Sequence, residues 1–354
     1  MLNTNLVSLL LISSIGSSNA ICPSVLLQNA AADKTYMSVD GLGTGGYGST
    51  LGKLPECWGE SDNCGVVSYN ATLTFLKNAY AAGETNIRVD NADSYDNLKS
   101  VGQAIADSGV PRANIFLVTK TGSPQPLGYQ DTVEQLTNVL STQMVDYVDL
   151  ALIHWPQNDG TSKSPECNPG ASLNMTLCRL NTWKAYVEFF QAGKARAIGV
   201  SNFDPSQIQE IVDAGMPLPS VNQIPIHIYR SSTQMNTILY CQRHNILVNA
   251  YSPLGVPDWQ NFNTSAGMSA TTLTDPVVIA IASKYNKTPA QVQLQWLWQL
   301  GIVSNARTLN PVHMAENLNA FTFQLSDGEV NLLTSRPQAW CSVQSGDYEC
   351  APDT

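Results

Sequence analysis

Asp90, Tyr95, Lys120 and His154 are four side chains that together can reduce a carbonyl. Adding hydride to a C=O group creates an alkoxide, which must take a proton from an acid close by. A tyrosine serves if its pKa, near 10 when unperturbed, is lowered toward working pH. A lysine ammonium beside it favours the phenolate and moves that value by roughly 1–3 units. A carboxylate then keeps the lysine charged and fixed, while a histidine orients the substrate oxygen through a hydrogen bond. Asp90, Lys120 and His154 each close a short apolar run, and Tyr95 follows Asp90 by five residues. Singly, Asp90 reads as a carboxylate ahead of a helix and Lys120 as a solvated charge; the set carries the chemistry. His227 and His244 lie outside any such block and read as structural.

These groups need a frame that brings strand ends together. Apolar runs end at Thr44, Asp90, Lys120, His154, Ser201, Gln223, Tyr251 and Arg307, with helical segments between them. Val133, Leu136 and Leu140 repeat at helical spacing, as do Trp183, Val187 and Phe190 ahead of Gly193. Asp204-Pro205, Asp275-Pro276 and Thr288-Pro289 are N-cap and first-turn pairs. Eight strand–helix units in series predict an α/β chain folded as one closed parallel barrel, the (β/α)8 TIM barrel, as a single domain. Such barrels place functional groups at the C-terminal ends of their strands. The competing fold is a doubly wound open sheet, suggested by Gly41-Leu42-Gly43-Thr44-Gly45-Gly46. That motif requires a helix opening directly behind a strand, whereas a polar stretch follows here. The glycines then read as a tight turn or as room for a flat ligand.

The chain has 354 residues, 43% hydrophobic and 13% charged, with a net charge of −10 and no basic cluster, which excludes a nucleic-acid partner. Residues 1–20 read as a signal peptide, with the apolar run Leu6–Ile12 and small residues Ser18-Asn19-Ala20 before Ile21. Residues 21–354 are then the mature barrel. A short N-terminal membrane anchor is the alternative, but no segment supplies the roughly 18 apolar residues of a membrane span. Cys57/Cys64, Cys167/Cys178 and Cys341/Cys350 form close pairs in stretches that read as loops, natural disulfides in an oxidising compartment. Cys22 and Cys241 are left over. Sequons at Asn70, Asn174, Asn263 and Asn286 agree with export, so the chain is expected outside the cell or in the secretory lumen. No CxxC or HExxH occurs among only four histidines, and no metal is expected.

From about Val39 to Phe323 the chain resembles the aldo-keto reductase family. The resemblance rests on Asp90-Asn91-Ala92-Asp93-Ser94-Tyr95, Phe116–Lys120, Asp146–Pro156, Gly193–Phe203, Val221-Asn222-Gln223 and Ala250–Gly255, in this order. It implies a catalytic tetrad of Asp90, Tyr95, Lys120 and His154, with Tyr95 as general acid/base, and NADP(H) as cofactor. It also implies that Ser201, Asn202 and Gln223 hold the nicotinamide carboxamide, and that Tyr251 stacks on the ring beside Gly43 and Thr44. Ser252 and Leu254 would follow the pyrophosphate. Arg307, Thr308, Asn310, His313, Glu316 and Asn317 would form the adenosine end. There His313 stands where the family often has an arginine, so NADP(H) is preferred less strongly than usual. Leu98 and Pro225 replace two acidic residues of the family pattern, with effects confined to packing. The substrate would be a small carbonyl or sugar-like compound and the protein a monomer. The alternative is a non-catalytic nucleotide-binding or interaction protein on the same barrel. Disulfides in the loops would staple the mouth of the site, with Trp58, Trp155 and Trp340 lining it.

Overall fold

The strand runs rich in Val, Ile and Leu pair edge to edge and are buried on both faces, as parallel strands covered by helices must be. The computed structural model describes residues 22–30, 34–45, 64–122, 126–157, 161–168, 173–229, 232–255, 272–336, 339–344 and 347–352; for 64, 232–233, 339–344 and 347–352 it describes backbone alone. A hairpin, β1 (Ser24–Leu26) and β2 (Tyr36–Ser38), comes first. The barrel strands are β3 (Gly41–Gly43), β4 (Ile87–Asp90), β5 (Ile115–Thr121), β6 (Val148–Ile153), β7 (Ala195–Ser201), β8 (Val221–Pro225), β9 (Leu247–Tyr251) and β10 (Ile302–Asn305). They pair in sequence order, all parallel, and a parallel bridge from Leu42 to Ala306 joins the first to the last. The ends fall within two residues of the points expected from the apolar runs. This ring is the (β/α)8 barrel, and it removes the doubly wound alternative.

Helices alternate with the strands: α1 (Cys64–Ala81), α2 (Leu98–Asp107), α3 (Tyr129–Gln143), α4 (Met175–Gln191), α5 (Pro205–Asp213) and α6 (Ser232–Arg243). After β9 come α7 (Pro276–Tyr285) and α8 (Pro289–Gln299), and after β10 α9 (Pro311–Leu318) and α10 (Asp327–Thr334). The three predicted caps are present, since Asp204, Asp275 and Thr288 each accept hydrogen bonds from first-turn amides. A C-terminal hairpin, β11 (Ala339–Gln344) and β12 (Asp347–Pro352), follows, with Cys341 and Cys350 as register partners.

The cysteine pairs do not all sit in loops. Cys178 is in the first turn of α4, Cys64 opens α1, and Cys341 and Cys350 lie in strands. Asn174 explains the first case: it reads as a loop residue, yet its side chain accepts from Leu177 N at 3.0 Å and caps the helix ahead of Cys178. Cys167 and Cys178 are disulfide-bonded and fully buried. Cys22 and Cys241 are buried free thiols. The Cys57/Cys64 pairing lies outside the described side chains, as does that of Cys341 with Cys350.

The interior of the barrel carries one unusual group. Arg88, fully buried on β4, reaches across the barrel and donates to Asn249 Oδ1 at 3.2 Å, Val39 O at 3.2 Å and Ser304 O. Nearby, Ser304 Oγ donates to Asp40 Oδ1 at 3.1 Å. Burial pushes the Asp40 carboxyl up to about 7, against the pull of the Arg88 charge.

Candidate active site

The C-terminal ends of β4, β5 and β6 bring Asp90, Lys120 and His154 together, and a 3-10 turn, Asp93–Tyr95, folds Tyr95 back over them. Lys120 Nζ donates to Asp90 Oδ1 at 2.5 Å, to Asn91 O at 3.0 Å and to Tyr95 Oη at 3.3 Å. All three ammonium donors are thereby used, and the lysine is fully buried. The other Asp90 oxygen accepts from Gln223 Nε2 at 2.7 Å. Burial alone would lower the Lys120 pKa, but the Asp90 carboxylate and the Tyr95 phenol turn the net shift upward, so the ammonium stays charged.

The phenol of Tyr95 behaves differently from the sequence expectation. Burial pushes its pKa above the ordinary value, and the charges of Lys120 and Arg307 recover only part of that. Removing water costs the phenolate more solvation than one ammonium at 3.3 Å restores. The group is therefore a protonated phenol held by a lysine, which is the form that gives a proton to an alkoxide. The His154 ring lies edge-on to Tyr95, with centroids 5.8 Å apart, and Trp155 stacks on it at 6.2 Å. Burial and the Lys120 charge lower the His154 pKa well below its usual value, so the imidazole is neutral.

The groups expected around a nicotinamide also converge. Asn202, in the left-handed region at φ 61°, donates to His154 O at 3.0 Å and accepts from Tyr251 Oη at 2.9 Å. Ser201 Oγ donates to Gln223 O at 2.8 Å. With its Nε2 given to Asp90, Gln223 keeps Oε1 as an acceptor for an amide. Thr44 Oγ1 donates to Asp90 O and Asn91 Oδ1, at 3.0 and 2.9 Å. Ser252, also at positive φ, turns the chain after β9, and Leu254 O accepts from Thr272 Oγ1. Where the adenosine end is expected, Asn310 caps α9, Thr308 Oγ1 accepts from Asn310 N at 3.1 Å, and His313 lies 3.5 Å from Thr308. Asn317 is buried there, and Glu316 O accepts from Gln291 at 2.8 Å. Arg307 is the exception: its guanidinium reaches Gly45 O at 2.7 Å, toward the catalytic end. Among the described residues, buried Asn305 Oδ1 beside this strand end has no hydrogen-bond partner. These acceptors and the cationic group fit a nicotinamide nucleotide.

Three residues escaped the sequence reading. Asn91 supplies a carbonyl to Lys120. Gly45 packs on Tyr95 so closely that a Cβ there would lie 2.8 Å from the phenol Cζ. Ser94 Oγ lies 3.1 Å from His154 Nδ1. In the sequence Gly45 stands in the glycine run, Asn91 follows Asp90 and Ser94 precedes Tyr95, but these contacts exist only in the fold. Trp58 and the side chain of Trp340 lie outside the described residues. His227 Nδ1 accepts from Tyr229 N at 3.2 Å, and His244 Nδ1 pairs with Tyr240 O at 2.9 Å, both structural bonds.

The aldo/keto reductase family profile matches residues 42–336. The chain belongs to the aldo/keto reductase family. Aldo-keto reductase family 1 member A1 of Xenopus tropicalis is 33% identical over 272 residues, covering 74% of this chain and 80% of that protein. Glycerol 2-dehydrogenase (NADP(+)) of Saccharomyces cerevisiae is 34% identical, with coverages of 74% and 81%. A Bombyx mori aldo-keto reductase in complex with NADP superposes with a TM-score of 0.70 at 28% identity, covering 90% of this chain and 93% of that one. Among the described residues no helix is long and apolar enough to cross a membrane, and no cluster of metal-ligating side chains occurs.

Proposed function

We propose that this aldo-keto reductase is an NADP(H)-dependent oxidoreductase that reduces a small or sugar-like aldehyde or ketone to an alcohol. The observation that carries this is the continuous Asp90–Lys120–Tyr95 series, with a neutral His154 across from the phenol. NADPH, when bound, supplies the hydride. Ser201, Asn202 and Gln223 would hold its carboxamide, Tyr251 would pack on its ring with Gly43 and Thr44 nearby, and Ser252 and Leu254 would serve the pyrophosphate. Thr308, Asn310, His313, Glu316 and Asn317 would form the adenosine end, which Arg307 would reach by leaving Gly45 O.

The substrate oxygen accepts hydrogen bonds from Tyr95 and His154. As negative charge grows on it, the phenol proton moves to that oxygen, and Lys120 stabilises the phenolate left behind. Asp90 and the Asn91 carbonyl keep the ammonium aimed at the phenol throughout. Consumption of NADPH with a panel of carbonyl compounds, alongside a Tyr95→Phe variant, tests the reading. Loss of the proton donor lowers kcat by roughly 100-fold or more while leaving the NADPH Kd unchanged. Tight cofactor binding without turnover in the folded wild type would favour a binding protein instead.

The address of the protein is a separate part of this proposal. Residues 1–20 are a signal peptide, the barrel of residues 21–354 is secreted or resident in the secretory lumen, and it is a glycosylated monomer. Support comes from the Cys167–Cys178 disulfide and from the exposure of sequon residues Asn70, Asn174 and Asn286. Asn263 lies outside the described residues. Mass spectrometry of the exported protein would find Ile21 at its N-terminus and lose mass on glycosidase treatment; an intact Met1 and unchanged mass would refute export and glycosylation.

A further inference from the structure

The geometry points to Ser94 as a positioning residue that keeps the His154 proton on Nε2, and so decides which hydrogen bond the substrate oxygen receives. This rests on the carbonyl-reductase reading above. A neutral imidazole has one N–H and one bare nitrogen, and the partner of one nitrogen sets the state of the other. A carbonyl oxygen only accepts, so His154 can assist it only by donating from the nitrogen that meets it. Nδ1 must then be bare and needs a donor of its own.

The group at Nδ1 is the Ser94 hydroxyl, 3.1 Å away. A carboxylate or backbone carbonyl in that place would pull the proton onto Nδ1 and leave Nε2 as an acceptor, repelling a carbonyl oxygen. A hydroxyl rotates and can donate. No other acceptor among the described residues competes for the Ser94 proton, and no described side chain occupies Nε2. The remaining contacts of His154 constrain its backbone and faces: its N–H donates to Thr121 O at 2.8 Å, its C=O accepts from Asn202, and Trp155 stacks on the ring. Among the described residues, Ser94 alone addresses a ring nitrogen. It also precedes Tyr95 in the same turn, so one turn places both groups that meet the substrate oxygen, Tyr95 directly and His154 through Ser94.

The test uses protein labelled with nitrogen-15 at histidine, in wild type, Ser94→Ala and Ser94→Thr. The wild-type His154 spectrum should show a protonated Nε2 and a bare Nδ1; a protonated Nδ1 would overturn the proposal outright. In Ser94→Ala the two tautomers should mix and kcat/KM for a carbonyl should fall roughly 2- to 10-fold, the worth of one neutral hydrogen bond. The NADPH Kd and the melting temperature should not move. Ser94→Thr, which keeps the hydroxyl, should restore both spectrum and rate. An Ala variant with unchanged spectrum and rate, or a Thr variant that restores neither, counts against Ser94. The spectrum needs no turnover, so an inactive wild type would defeat the reductase reading while the tautomer still judged Ser94.

Discussion

Tyr95 keeps its proton because burial opposes the phenolate more than Lys120 and Arg307 favour it. Its position depends on a residue with no side chain. With a Cβ at Gly45 only 2.8 Å from the phenol Cζ, Gly45→Ala must push the ring off its hydrogen bond with Lys120. We expect kcat to fall roughly 10-fold or more, since small misplacements of a reacting group are costly, with little change in the melting temperature. Arg307 is the second sensitive residue. It sits on Gly45 O and its charge reaches Tyr95. Arg307→Ala should weaken NADPH binding about 10-fold, the order of one charge-assisted hydrogen bond, while barely changing NADH binding. Titration of both cofactors into both proteins measures this, and equal losses for the two would argue against a role at the phosphate.

At the scale of elements, the β6–α4 connection departs most from an ordinary loop. It leaves the site directly after His154 and Trp155 and is tied in three ways. The Cys167–Cys178 bond closes it, Asn174 N donates to Glu166 O at 2.8 Å, and Ser162 Oγ bridges Leu127 O and Asp131. Closing a loop with a sequence separation of 11 reduces the entropy of the unfolded chain by an amount worth about 3 kcal/mol. The double variant Cys167→Ser, Cys178→Ser should lose stability on that order in denaturant titration; an unchanged midpoint would mean the other ties suffice. The pairing was legible from spacing, but the helical setting of Cys178 was not. Helix α4 starts on a cap, Asn174, whose residue type is equally common in turns.

For the whole molecule, Arg88 links the closed ring across its interior, from β4 to the Asn249 and Ser304 strands. The sheltered Asp40 carboxyl beside it adds a pH dependence. Its folded pKa, about 7, lies above the ordinary 3.8, so the folded state binds this proton more tightly than the unfolded chain. The associated stability is full below about pH 4, declines as pH rises, and is gone above about pH 7. At about 1.4 kcal/mol per unit, the swing is at most on the order of 4 kcal/mol. Asp40→Asn keeps the acceptor for Ser304 and should flatten this part of the stability curve between pH 4 and 7; the same slope in both proteins would exclude Asp40 as its source.

What the sequence determined by itself was whatever short-range chemistry writes into consecutive residues: the strand runs and their ends, the capped helix starts at Asp204, Asp275 and Thr288, and the order of Asp90, Tyr95, Lys120 and His154. Eight alternating units leave few ways to bury every strand face, so the barrel followed from the pattern. Tertiary structure alone decided the partners that lie far apart in the chain: Gln223 on Asp90, Arg307 on Gly45, Asn202 on His154, and Arg88 on Asn249 and Ser304. It also decided the sign of the Tyr95 shift. Burial and Coulomb attraction act through space, and their balance exists only once the strand ends have closed around the site and removed the water.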